Sequence, residues 1–296
     1  MSDESPASLV AAVVHWSVQG MADAASIDEI RWANAERIVR LLDAIALVAD
    51  PPPRLIVLPV LAFTSSRGGV GIEPGATAID GSSDLVRLLA DACRRHDVLL
   101  VTSSVERRAE FPGRYFHSGL VISGDGLVMS APKIGAPSSP HITLLRDVRD
   151  EWTAAYGDGA LFPVLDTPFG RIGCLVESEL IVPGVIEELV ERGAEIIVHP
   201  SLSPSDSPHP YLAALQSAAS RCAVFILSAT IARVMNEGGI PGETWRGGRS
   251  CIVAPDGRVL ASVEGDGVGF VFARLQLDQL ATERERAGRY STAPRA

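Results

Sequence analysis

The strongest constraint on the fold of this chain is the spacing of its short apolar runs. The stretches SLVAAVVHWSV at 8–18, RLIVLPV at 54–60 and VLLVTSSVE at 98–106 have the length of buried strands. Between the first two lies SIDEIRWANAERIVRLLDAIALVAD, with Ile27, Ile30, Ala33, Ile38, Leu41, Leu42 and Ile45 at helical spacing. Ser26 and Glu29 are placed as a capping box at its start. A second amphipathic segment, SSDLVRLLADACRRHD, separates the second run from the third. This βαβαβ order predicts right-handed crossovers with helices laid over a sheet face.

The order then changes and returns. RYFHSGLVISGDGLVMSAPK reads as a hairpin turning at Gly124-Asp125-Gly126, and LFPVLDTPFGRIGCLVE as another turning at 166–170. VPGVIEELVERGA and HPYLAALQSAASRCA read as helices, with EIIVHPS and VFILSATI as the strands that follow them. RSCIVAPDGRVLASVEGDGVGFVFARL closes with strands turning at Pro255-Asp256-Gly257. The whole is an approximate duplication without repeated sequence. Two mixed sheets face to face, with helices outside, would bury so many apolar strands. No linker interrupts the chain, so 1–296 is expected to be one domain, with a polar tail from about 281 that is frayed or docked on a partner.

Composition narrows the partners. Apolar residues make up 47% of the chain and charged residues 21%, enough for a core and against disorder. A net charge of −10 argues against nucleic acid and gives no reason to expect an anionic membrane surface. No run is long and apolar enough to span a bilayer, and MSDESPASLV lacks the pattern of a signal peptide, so the cytoplasm is expected. Cys93, Cys174, Cys222 and Cys251 show no CxxC pairing, and the six histidines have no HxH or HExxH spacing. Neither a metal nor an organic cofactor is expected.

Several local strings, in order, resemble the nitrilase superfamily of carbon–nitrogen hydrolases. They are LIVLP at 55–59, GLVMSAPK ending at Lys133, YGDGALFPVLDTPFGRIG at 156–173, Pro183, ERGAEIIVHPS at 191–201 and SCIVAPDGRVLA at 250–261. The resemblance covers nearly the whole chain. It implies a four-layer α-β-β-α sandwich of two mixed sheets and a homodimer.

It also implies a Glu general base, a Lys that stabilises developing negative charge and a Cys nucleophile. The base should follow the Pro of LIVLP, where this chain has Val60. The Lys position holds Lys133. The nucleophile should stand four residues beyond the second Gly of GRIG and six before Pro183, and both counts reach Glu177. Cys174 lies three residues early, and strand alternation would turn it to the opposite face. A second family acidic residue has Asp150 or Glu151 as candidates. A further one aligns with Ser220, and a family Asn aligns with His117. His117, His199 and Arg249 are candidate ligand contacts.

Three readings follow from these substitutions. Glu177 and Lys133 form an inert ion pair in a non-catalytic homologue, or they bind and process a small molecule by other chemistry. The alternative is a thiol-dependent amidase acting on a small amide or nitrile, with Cys174 as nucleophile.

Overall fold

The computed structural model describes residues 8–19, 27–64, 74–135, 141–202, 210–235, 244–246, 248–265 and 267–288. Its first half runs β1 (Ser8–Gln19), α1 (Ile27–Val48), β2 (Leu55–Val60), α2 (Pro74–Thr77), α3 (Asp84–His96) and β3 (Leu99–Arg107). The hairpin β4 (Tyr115–Ser123) and β5 (Gly126–Pro132) and the helix α4 (Arg149–Tyr156) come next. A second hairpin, β6 (Val164–Thr167) and β7 (Gly170–Cys174), leads to α5 (Val185–Glu191), β8 (Ile196–Ser201), α6 (Pro210–Cys222) and β9 (Phe225–Met235). The chain closes with β10 (Thr244–Arg246), β11 (Arg249–Val253), β12 (Val259–Glu264), β13 (Gly269–Gln276) and α7 (Gln279–Gly288).

The expected strands and both hairpins are present. The 22-residue α1 buries Ile27, Ala35, Ile38, Leu42 and Ile45 along one face, as its spacing requires. Ser26, half of the expected capping box, falls outside the described residues. The Ser83 side chain caps α3 by accepting from the Val86 N–H, and Arg94, Arg95 and His96 sit at its negative C-terminal end.

The sheets are joined in a way that strand patterning does not reveal. The strand order is β5-β4-β3-β2-β1-β9-β8-β7-β6, continuous through β1. From Ser8 to His15, β1 pairs antiparallel with β13, and its residues Ala11–Val13 also pair parallel with β2. From Trp16 to Gln19 it pairs parallel with β9 instead, with a register shift between Trp16 and Ser17. One strand thus crosses from one sheet of the sandwich to the other, and β2 packs across the interior against β8 and β9.

Close packing between the sheets fixes which side of each strand faces inward. A Cβ added to Gly119 on β4 would collide with Cys174 Sγ and come 3.2 Å from a Val176 methyl. Cys174 and Val176 therefore point into the interior. The neighbouring Gly173 points the other way, toward Leu189 of α5. Gly119 lies opposite Ser103 and Ala131, so by strand alternation His117 and Lys133 share that inner side.

Three helices, α2, α4 and α7, had no counterpart in the sequence reading. The one buried residue of α4 is Trp152, whose ring stacks on Phe111 at 5.3 Å and meets Phe116 edge-on at 5.2 Å. Residues from 281 to Gly288, expected as polar tail, belong to α7, which anchors through buried Leu280 and through Arg284 donating to the Ala194 carbonyl.

Candidate functional site

β7 stops at Cys174, and Val176 is still extended, with φ −120° and ψ 120°. By alternation the next side chain would leave the interior. Glu177 instead adopts φ +53°, a left-handed conformation that is uncommon for a residue with a Cβ. A short 3-10 helix, Glu177–Ile181, begins there. The turn brings the Glu177 side chain back to the inner side, where Oε2 accepts from Lys133 Nζ at 2.8 Å. The alternation argument therefore holds as far as Val176 and fails at 177, where the backbone leaves the strand.

Lys133 reaches this point from the end of β5, and its N–H is held by the His117 carbonyl at 2.9 Å. Its side chain is fully buried, whereas Glu177 keeps 14% of its side-chain surface. His117 and His199 flank the pair. His117 Nδ1 stands 3.7 Å from Glu177 Oε2, and its Nε2 is 2.8 Å from Ser103 Oγ. Leu61 N–H also points at Ser103 Oγ, at 3.3 Å. The Ser103 carbonyl also accepts from that N–H, at 3.1 Å, so β2 and β3 are tied together beside the His117 ring.

His199 Nε2 donates to the Glu177 carbonyl at 2.7 Å, and Ser228 Oγ lies 2.9 Å from its Nδ1. The carbonyl of the left-handed residue is thereby held in place. Burial pushes both imidazoles down to about 4, with Lys133 acting in the same direction and Glu177 opposing. Both are neutral near pH 7. Tyr211 of α6 lies with its ring 12° from parallel to that of His199, at 6.3 Å. Its hydroxyl is pushed up by burial and by the charge of Glu177.

Val60 is buried at the end of β2, paired with Ser103 across the strands. An apolar side chain thus stands where the sequence resemblance implies a base. Cys174 is not brought to the pair. It packs on Gly119, and burial pushes its thiol further up, away from the nucleophilic thiolate.

The carbon–nitrogen hydrolase family profile matches residues 18–285. The chain belongs to the carbon–nitrogen hydrolase family. A bifunctional nitrilase/nitrile hydratase of Lupinus angustifolius is 25% identical over 233 residues, covering 73% of this chain but only 62% of that protein's length. Among solved structures, Saccharomyces cerevisiae Nit3, a branch 10 member of the nitrilase superfamily, has a TM-score of 0.75 at 17% identity, covering 96% of each chain. A mutant of the amidase from Nesterenkonia sp. AN1 has a TM-score of 0.64 at 17% identity, covering 96% of this chain and 97% of its own. That structure shows covalent addition of the acetamide moiety of fluoroacetamide at the active site cysteine. These likenesses establish the nitrilase fold.

Of the other residues singled out from the sequence of this family member, His117 and His199 enter the cluster and the rest lie elsewhere. Asp150 and Glu151 are exposed on α4, where Glu151 pairs with Arg114 at 3.4 Å. Arg249 pairs with Glu264 across the β11–β12 hairpin at 2.8 Å. Ser220 is exposed on α6. The loop at 203–209 is outside the described residues. Among the described residues no group of His, Cys, Asp and Glu is arranged to hold a metal.

Sequence reasoning missed Ser103, Tyr211, Ser228 and above all Glu179. Glu179 is 3% exposed. Its Oε1 accepts from Ile134 N–H at 2.7 Å and its Oε2 from Val176 N–H at 3.0 Å. These amides adjoin Lys133 and Glu177, so one carboxylate ties together the two segments that carry the pair. The available signal was a second acidic residue inside the apolar string LVESELIV.

Burial raises the Glu179 carboxyl from 4.5 to about 7, against the opposing pull of its backbone donors and Lys133. A carboxyl raised on folding binds its proton more tightly in the native state. Stability from this group is therefore greatest below about 4.5 and falls as pH rises to about 7. The loss is on the order of 3 kcal/mol. His117 and His199 act oppositely, since stability is lost as pH falls from 6.5 to about 4. Urea denaturation at pH 5 and pH 7.5, run on wild type and Glu179→Gln, separates the two effects. Wild type should lose about 2–3 kcal/mol relative to the variant at the higher pH. Equal pH dependence in both proteins would disprove this account of Glu179.

Proposed function

We propose that this protein is a non-thiol member of its family, a homologue without conventional hydrolase activity whose Lys133–Glu177 pocket holds a small polar molecule. The observation carrying the reading is Glu177 itself, which occupies the left-handed turn and salt-bridges Lys133 at 2.8 Å. A carboxylate is a weak nucleophile toward an amide or nitrile and forms no thioester. Val60 brings no proton acceptor. The degenerate triad is thus Val60, Lys133 and Glu177. Retention of an ion pair whose Glu177 side chain is not fully buried, rather than an apolar plug, supports binding over a sealed core.

The proposed assembly is a homodimer, and the proposed location the cytoplasm. Among the described residues no helix is long and apolar enough to cross a membrane.

The test combines turnover and binding. Purified wild type should release no ammonia from acetamide, propionamide or propionitrile above background, and iodoacetamide should change nothing. A thermal-shift screen of small amides, amines, alcohols and carboxylates should find a stabilising class. At about 100 times its dissociation constant a ligand stabilises the fold by about 2.7 kcal/mol. Amide hydrolysis abolished by alkylation would refute the proposal, as would the absence of any stabilising class.

A further inference from the structure

We propose that the outer face of the β4–β5 hairpin carries a second binding site, a cleft that takes a free α-amino acid with an apolar side chain. It is separate from the Lys133–Glu177 pocket and does not rest on the reading given to that pocket.

The cleft has a volume of about 400 Å³, within the range of small-ligand sites. Glu106, Arg107, Arg108, Glu110 and Tyr156 border it, together with apolar residues of β5, the last strand of the sheet. Glu106 fixes which side of the sheet this is. Its Oε2 accepts from Ser118 Oγ at 2.7 Å and from Ser130 Oγ at 2.6 Å. Ser118 precedes the inward Gly119, and Ser130 precedes Ala131, the partner of Gly119 in register. Both hydroxyls therefore lie on the outer side, and the sheet stands between this cleft and Lys133.

Two cations and two anions border the cleft, and they are not equally committed. Glu106 is buried, and besides the two hydroxyls it has Arg108 Nη2 at 3.2 Å from each oxygen. Its carboxylate is saturated. Arg108 is not, since its buried Nε has no hydrogen-bond partner. The guanidinium lies over the rings of Trp152 and Tyr156, at 4.8 and 5.2 Å from their centroids. Held by two rings and a carboxylate, it is preorganised to receive a ligand carboxylate. The Tyr156 hydroxyl in turn donates to Glu110 at 2.5 Å. Glu110 is exposed and takes part in no salt bridge among the described residues. One tyrosine thus carries a held cation on its ring and an unneutralised anion at its hydroxyl.

This pairing selects a dipolar ion. A ligand with a single charge meets like charge beside its partner, whereas an amino acid sets its carboxylate at Arg108 and its ammonium at Glu110. Arg107, joined to Asp80 only by an exposed contact at 3.4 Å, adds a second donor for the carboxylate. Leu127, Val128 and Met129 form the apolar wall, and the exposed Val128 offers an aliphatic side chain a surface to cover.

Calorimetric titration of wild type near neutral pH with L-leucine, isocaproate and isoamylamine tests the site. Isocaproate is leucine without its ammonium, and isoamylamine is leucine without its carboxylate. Leucine should bind about tenfold or more tighter than either fragment. Glu110→Gln should bring leucine down to the affinity of isocaproate and leave isocaproate no weaker. Arg107→Gln should weaken both carboxylates and leave the amine unchanged, and Arg108→Gln should do the same more strongly. The two exposed substitutions keep the test open if the Arg108 variant does not fold. Leucine that binds no tighter than its fragments, or equally to wild type and Glu110→Gln, would overturn the inference. So would the absence of binding by leucine up to its solubility limit.

Discussion

Glu177→Leu alone should destabilise the protein by about 3–5 kcal/mol, and adding Lys133→Met should recover most or all of that loss. The single substitution leaves the ammonium of a fully buried Lys133 without its partner at 2.8 Å. The neighbouring histidines are poor replacements, because both are buried and neutral near pH 7 and carry no negative charge. The double variant substitutes an apolar pair of similar volume, a change that is often neutral or stabilising by up to about 4 kcal/mol. Both variants keep a side chain with a Cβ at the φ +53° position, so the backbone strain is unchanged. Urea denaturation of the four proteins of the cycle measures the coupling. A single-variant loss below about 1 kcal/mol would mean that solvent reaches Lys133 and that the pair is not the buried centre described above.

Glu177→Cys combined with Val60→Glu should create thiol-dependent amide hydrolysis where wild type has none. A thiol at the left-handed turn would face the Lys133 ammonium, a neighbour that favours the thiolate. Glu177→Cys alone should react with iodoacetamide at residue 177, while Cys174, packed against Gly119, stays unlabelled in the folded protein. The added carboxylate at 60 supplies a general base, an effect of about 10²–10⁴ in rate. Ammonia release from acetamide, with and without prior alkylation, is the readout. A double variant that is alkylated at 177 yet hydrolyses nothing would show that the pocket has lost more than its base and nucleophile.

Much of this arrangement was legible before any coordinates. Strands such as LIVLPV and IIVHPS open on apolar runs, and both are buried along their whole length. Lys133 was placed by the string GLVMSAPK and Glu177 by counting from GRIG and Pro183, and they meet. What escaped the reading has physical causes. A left-handed Glu177 leaves no mark in composition, because glutamate does not advertise positive φ as glycine does. The division of β1 between two sheets falls between His15 and Trp16, inside a run that reads as one strand. Glu179 acts on backbone amides at 134 and 176, contacts with no side-chain signature. Glu151 was a candidate for the family's second acidic residue and Arg249 for a ligand contact, and their partners proved to be surface residues.

The sharing of β1 has a consequence for how the chain is made. This strand is the seam of the whole sheet, yet its partners include β9 and, across Ser8↔Gln276, the far end of β13. Synthesis at about 5–20 residues per second leaves it waiting for those partners for on the order of tens of seconds. During that interval an apolar strand of 12 residues has open edges, the kind of surface that pairs with other nascent chains. Closure of the sandwich then requires contacts between residues far apart in sequence, which places its folding among the slow topologies. Neither half of the sandwich is a separable lobe, and nascent copies of this protein are expected to depend on chaperones until β13 has been translated.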